Sequence, residues 1–335
     1  MDDKVEVYGI GNPLADVLAH ATDSEVDELK LHKGTMQLVN AERVNSILAR
    51  IKEREKIYSC GGSAPNTMIT LAALGVRTAL AGMVGSDELG KIYLGRLEEQ
   101  GVISDLAVAD GNTGSCVALI TPDHERTMST RLGVCQNFCE EQVNHEKIAE
   151  AKFLYFTGYM WDTEPQKTAL TEAIATARKA GTKVVFDVAD PFAVERHLDD
   201  FLELLSGSID IVLANRDEAR LLLGFDDPER AAGELAKRCH IAAVKNCADG
   251  SCIATRDGEY ASIKAFPVKA VDSTGAGDNY AAGFLYGLLK GYTIADAGRL
   301  ASYVAAQVVQ QAGAQFSKQS IRELREAIKN GLWRQ

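Results

Sequence analysis

The 335-residue chain has no run of about 18 apolar residues, the length a membrane-spanning helix requires. It has no Cys-x-x-Cys pair: Cys135 and Cys139 are four apart, Cys247 and Cys252 five. Its histidines, among them His20, His124 and His197, never fall in a His-x-x-x-His frame. A structural zinc site wants four ligands at recognisable spacings, so none is expected. Seven dispersed cysteines read as reduced thiols, small apolar residues of a cytoplasmic protein. Basic charge is also short, 36 Lys and Arg against 47 Asp and Glu, a formal net charge of −11. That balance argues against a nucleic-acid backbone or an anionic membrane as partner. The start, Met1-Asp2-Asp3-Lys4, lacks the basic-then-apolar layout of a secretory leader. Internal repeats and low-complexity linkers are missing too. What is present is an ordinary globular mix, 46% hydrophobic and 25% charged, long enough to fold without a disulfide or metal staple.

Apolar runs at 5–8, 78–84, 153–156, 183–187, 210–214 and 241–244 predict strands, and 265–271 is strand-like. Between or after them come amphipathic stretches at 165–180, 216–223 and 228–239, then 277–290, 294–311 and 319–330. The first carries Leu170, Ile174 and Ala177 on one face and stops at Gly181. Strands alternating with helices predict βαβ units: a mostly parallel, Rossmann-type α/β sheet with helices on both faces. Two regions break the rhythm. Residues 14–58 are polar and mixed, and 105–131 read as short strands between turn signals. They are expected to pair as a small β-sheet lid, 14–58 with 105–131, on a large unit of 1–13, 59–104 and 132–335.

The segment Asp272-Ser273-Thr274-Gly275-Ala276-Gly277-Asp278 runs into an apolar helix. Small residues at a helix start bare their N–H groups, and the helix dipole adds positive charge, which together cradle an anion. Asp278 there suits a base that takes a proton from an attacking hydroxyl; it also suits an acidic helix cap. Cys60-Gly61-Gly62-Ser63-Ala64-Pro65-Asn66 permits close backbone approach to a ligand, with Asn66 toward a sugar-like diol, or is a capped glycine turn. Asn12 and Asp16 follow the first strand, where an amide and a carboxylate can hold two hydroxyls. Asn215 and Glu218, three apart at a helix start, suit water on Mg²⁺ near nucleotide phosphates, or a capping box. Two phosphate-loop look-alikes fail: Leu14 replaces the third glycine after Gly9-Ile10-Gly11, and Ile92 follows Lys91 where Ser or Thr is required.

Taken in this order the segments resemble the ribokinase-type (PfkB-like) carbohydrate and nucleoside kinases over nearly the whole chain. Gly61-Gly62 with Asn66, then Gly85-x-Asp87-x-x-Gly90, is similar to the family's N-terminal signature, and 272–278 to its C-terminal one. Asn215-Arg216-Asp217-Glu218 resembles its magnesium motif. The resemblance implies a ribokinase-like fold, with ATP, Mg²⁺ and in some members K⁺ near Asp272. It makes Asp278 the base and the N–H groups of Gly275, Ala276, Gly277 and Asp278 the anion hole. Asn12, Asp16, Gly61, Gly62, Ser63 and Asn66 would take the substrate, with Tyr159 near its base. Lys245, Gly250 and Thr274 would border ATP, with Asn215 and Glu218 organising the metal. Gly11-Asn12-Pro13-Leu14-Ala15-Asp16 is similar to adenosine kinases, and Glu125-Arg126-Thr127-Met128 to the segment where those enzymes carry an arginine toward the phosphates. Cys247 stands where many members have Gly. The expectation is phosphorylation of a nucleoside 5′-hydroxyl, most of all adenosine's; the alternative is a sugar kinase acting on ribose, fructose or a related furanose. Expected partners are small molecules alone, for a monomer or a homodimer.

Overall fold

The computed structural model describes residues 4–123 and 125–334. The acidic start at 1–3, His124 and Gln335 lie outside the described residues. Among the described residues nine strands form one sheet. In spatial order they are Tyr260–Ile263, Ser251–Thr255, Ile241–Lys245, Ile211–Asn215, Lys183–Asp187, Phe153–Thr157, Val7–Ile10, Thr78–Gly85 and Ile103–Ala109. All neighbours run parallel except the hairpin edge, where Ser251–Thr255 is antiparallel to both of its neighbours. The central strands are apolar throughout because both faces are covered. Within Lys183–Asp187, Phe186 packs with Leu170, Ile174 and Phe201 on one face. Its neighbour Val185 packs with Met68, Tyr280 and Phe284 on the other. Burying each such side chain contributes about 1.5–3 kcal/mol.

The helix Glu164–Ala180 shows why the expected helices form. Pro165 sits in its first turn, Leu170, Ile174 and Ala177 are buried on one stripe, and Gly181 ends it at φ 84°. None of the described helices is long and apolar enough to cross a membrane.

A second sheet has the order Met36–Leu38, Arg126–Arg131, Gly114–Ile120, Leu14–His20, Ile57–Gly61. Alternation along its strands separates two faces. Val17, Ala19, Val117 and Leu119 pack under the helices Asp23–Glu28 and Ala41–Arg50 through Val26, Val44 and Ile47. The opposite face carries Asp16 beside Cys116, then Leu18, Ala118 and Met128 in register, then Arg126 beside Ile120.

Three expectations differ from the structure. Ile103–Ala109 joins the large sheet beside Thr78–Gly85 instead of the small one. The turn at Asp110-Gly111-Asn112 marks the crossing between sheets, which periodicity alone does not reveal. Ile57–Gly61 belongs to the small sheet, beside Leu14–His20, although residues from 59 onward were expected in the large unit. Residues 265–271 enter no ladder: Pro267 has no N–H to give, and the segment bonds through Val271 to the carbonyl of Val309.

Candidate active site

Parallel strands deliver side chains to one edge, beyond their carboxyl ends. Asn12 follows Val7–Ile10, Tyr159 follows Phe153–Thr157, and Asp187, Asn215 and Lys245 end three further strands. After Asp187 the backbone turns through Ala189 at φ 73°, a left-handed position rare for alanine, and delivers Asp190 to the same edge.

Asp278 lies in the first turn of the helix Ala276–Leu289, behind Gly275 at φ 72°. A Cβ on Gly275 would meet Ala314 Cβ at 2.5 Å, so only glycine allows this turn. Buried Asn279 secures it by donating to the carbonyls of Gly275 at 2.8 Å and Ala314 at 2.9 Å, and Thr70 donates to its oxygen. Ser63 Oγ donates to Asp278 at 2.5 Å and Asn66 Nδ2 at 2.9 Å. Burial pushes the Asp278 carboxyl up to about 6, opposed by those two hydrogen bonds. The N–H groups of Gly275, Gly277 and Asp278 find no acceptor among the described residues, whereas that of Ala276 bonds to Ser273. Of the four N–H groups expected to face an anion, that of Ala276 alone already has an acceptor among the described residues.

Ser63 and Asn66, expected at the substrate, both donate to the Asp278 carboxylate. The Asn66 oxygen is also taken, by Gln315 Nε2 at 3.1 Å. Asp16 and Asn12 meet the glycine pair. A Cβ on Gly61 would lie 2.1 Å from the Asp16 carboxylate, and one on Gly62 2.1 Å from the Asn12 carbonyl. Asp16 accepts no hydrogen bond among the described residues, and burial pushes its carboxyl up to about 7. Asn12 Oδ1 accepts from Gln166 at 2.6 Å.

Lys245 Nζ is 3.2 Å from Asp187, and a Cβ on Gly277 would sit 3.4 Å from that nitrogen. The ammonium thus stands beside the bare N–H groups. Burial pulls its pKa down, but Asp187, Glu218 and Asp278 outweigh that and hold it above the ordinary lysine value. Asn215 and buried Glu218 form a reciprocal capping box on the helix Arg216–Leu223, and burial pushes Glu218 up to about 8. Tyr159, expected near a substrate base, donates its hydroxyl to Asp190 at 3.1 Å. Arg126, expected at the phosphates, forms an ion pair with Asp272. Asp272 also accepts from the N–H groups of Thr274 at 2.9 Å and Gly313 at 2.7 Å. Gly250 turns at φ 97°, where a Cβ would strike the Ile263 carbonyl. Asp87, part of the false phosphate loop, caps the helix Glu88–Glu99 and binds Thr113.

A model of the pfkB family carbohydrate kinases matches residues 46–321. The chain belongs to that family. It is similar to an adenosine kinase from Sinorhizobium meliloti, 36% identical, with a TM-score of 0.91 over 97% of this chain and 99% of that one. A probable sugar kinase from Rhizobium etli is 34% identical with a TM-score of 0.92, over 98% and 99%. A 5-dehydro-2-deoxygluconokinase from Clostridium perfringens is 28% identical over 80% of this chain and 83% of its own. The chain is therefore a PfkB sugar or nucleoside kinase of ribokinase-like fold, a phosphotransferase with an alcohol acceptor. The family implies ATP and usually Mg²⁺, and the site accommodates both. Bare N–H groups and Lys245 suit phosphate oxygens, and Asp187, Glu218 and Asp278 share the Lys245 cation, which leaves negative charge for a divalent ion. No three carboxylate, thiol or imidazole groups gather as a metal cage among the described residues. Mg²⁺ suits such a place because it keeps waters and phosphate oxygens as ligands.

Asp187, Asp190, Gln166, Asn279 and Gln315 were not anticipated from the sequence. A carboxylate closing a predicted strand was a usable signal for Asp187. Gln166 and Gln315 carry none, since their partners are remote in sequence.

Proposed function

We propose that this PfkB kinase transfers the γ-phosphate of ATP to the 5′-hydroxyl of adenosine, giving AMP and ADP. The carrying observation is the Asp278 carboxylate, held by Ser63 and Asn66 beside bare helix N–H groups and Lys245. Asp278 takes the hydroxyl proton as the oxygen forms its bond to the γ-phosphorus in line and the bond to the ADP oxygen breaks. The N–H groups of Gly275, Gly277 and Asp278, with Lys245, stabilise charge on the transferring group. Mg²⁺, when bound, neutralises phosphate charge; Asn215 and Glu218 would hold it through water. Asn12 and Asp16 grip the ribose hydroxyls, and Leu18, Ala118 and Met128 on the face of Asp16 suit an aromatic base. The small sheet acts as a lid that excludes water, with Arg126 as its tie to Asp272. Potassium near Asp272 would have to share that carboxylate with Arg126. Cytoplasmic location goes with this chemistry and with the reduced thiols.

The likeness to a 5-dehydro-2-deoxygluconokinase favours a second reading, a sugar or sugar-acid kinase with the same base. The test is phosphate transfer from MgATP to adenosine, inosine, ribose, fructose and 5-dehydro-2-deoxygluconate. Adenosine is expected to give the highest kcat/KM. A free sugar or sugar acid in first place would replace the substrate assignment and keep the role of Asp278.

A further inference from the structure

Gln166, on the helix Glu164–Ala180, is fully buried, yet none of its polar atoms is idle. Its Nε2 donates to the Cys135 carbonyl at 2.7 Å and to Asn12 Oδ1 at 2.6 Å, and its Oε1 lies 3.0 Å from Thr163 Oγ1. We infer that Gln166 decides which end of the Asn12 amide meets the substrate, so that the pocket offers an N–H beside the Asp16 carboxylate and selects vicinal hydroxyls. This rests on the reading of the pocket as a site for a hydroxylated acceptor.

The orientation follows from one fixed acceptor. A backbone carbonyl cannot donate, so the Gln166 NH₂ must face Cys135. The second hydrogen of that NH₂ then points at Asn12, which must answer with its oxygen. Asn12 Nδ2 is left without a partner among the described residues, turned from Gln166, and the Gly61-Gly62 turn brings Asp16 close to the same segment. In its ionised form the Asp16 carboxylate only accepts, and this amide end only donates. A hydroxyl that accepts from Asn12 donates its own hydrogen bond to Asp16, and a neighbouring hydroxyl donates to the second carboxylate oxygen. Gln166 touches neither substrate nor ATP, so it is a positioning residue for specificity.

The test compares the native enzyme with Gln166→Met and Asn12→Asp on adenosine and its 2′-deoxy and 3′-deoxy forms. The native enzyme should prefer adenosine to one deoxy form by about a hundredfold or more in kcat/KM, as a polar site rejects a missing hydroxyl. Gln166→Met frees the Asn12 amide to turn; the KM for adenosine rises about tenfold, the size of one neutral hydrogen bond, and the deoxy preference shrinks by the same factor. Its kcat and its KM for ATP stay within about twofold, which a general loss of structure would not give. Asn12→Asp keeps the acceptor toward Gln166 but removes the donor, so it should weaken adenosine at least as much; Gln166→Leu, also unable to donate to Asn12, carries the test if Gln166→Met does not fold. Unchanged deoxy preference in Gln166→Met, or native affinity in Asn12→Asp, overturns the inference. If a sugar is the acceptor, the adenosine reading fails, and the same ratios on that sugar and its deoxy forms still decide the role of Gln166. If nothing turns over, the shift in melting temperature with adenosine or ribose replaces KM. A shift lost in Gln166→Met supports the inference, an equal shift overturns it, and no shift in any protein overturns it together with the proposed function.

Discussion

The Asn66 amide donates to the Asp278 carboxylate at 2.9 Å, joining residues 212 positions apart. The amide is held in turn by Gln315. Burial raises the affinity of Asp278 for a proton while Ser63 and Asn66 favour its charged form, and the balance falls at about 6. Such a carboxylate is ionised at neutral pH and still a stronger base than an exposed aspartate.

Asn66→Ala removes a hydrogen bond that favours the charged form, so the Asp278 pKa moves above about 6. The acid limb of the pH–rate profile should shift to higher pH by about one unit, and kcat at pH 7 should fall about two- to fourfold. Steady-state rates between pH 5 and 8 check this; an acid limb that stays in place would contradict it.

Burial pushes Asp16 up to about 7 and Glu218 up to about 8. Their folded pKa values lie above the unfolded ones, so the folded state binds more protons in this range. Stability therefore falls as pH rises from about 4 to about 8. Asp16→Asn removes a buried charge, and its melting temperature should exceed the native value by more at pH 8 than at pH 5, with weaker substrate binding. Thermal melts at both pH values check the sign; an equal gain at both contradicts it.

Lys245→Met leaves Asp187, Glu218 and Asp278 without the cation they share. Turnover should fall about 100-fold, as for other lost electrostatic contacts to a transferring group. The loss in melting temperature should be larger at pH 8 than at pH 6, because protonation relieves the uncompensated carboxylates. A loss independent of pH would argue that Lys245 acts by packing alone.

Cys247 holds φ 48°, where a Cβ is strained, in the turn leading to Gly250. Cys247→Gly should stabilise the protein by about 0.5–1 kcal/mol, the left-handed penalty less the added freedom of the unfolded chain. Denaturant unfolding measures it, and destabilisation would contradict the account.

Much of this was legible in the sequence because it is local. Apolar runs marked the strands, Pro165 and Gly181 bounded a helix, and the 272–278 turn announced Asp278 and its bare N–H groups. Ser63 and Asn66 were found from the glycine pair, but their bonds to Asp278 were not, because that carboxylate lies more than 200 residues away in sequence. The two sheets share similar strands, so the place of Ile103–Ala109 depended on long-range pairing with Thr78–Gly85. Gln315 reaches Asn66 across 249 residues and Gln166 reaches Asn12 across 154, and no local pattern encodes either contact.

The most direct test is turnover of Asp278→Asn in the MgATP and adenosine assay, beside its melting temperature with and without ligand. The account predicts a folded protein, still stabilised by ligand through mass action, with kcat lower by about 10³–10⁴-fold. A folded variant that keeps turnover within about tenfold of the native enzyme would contradict a catalytic base at Asp278.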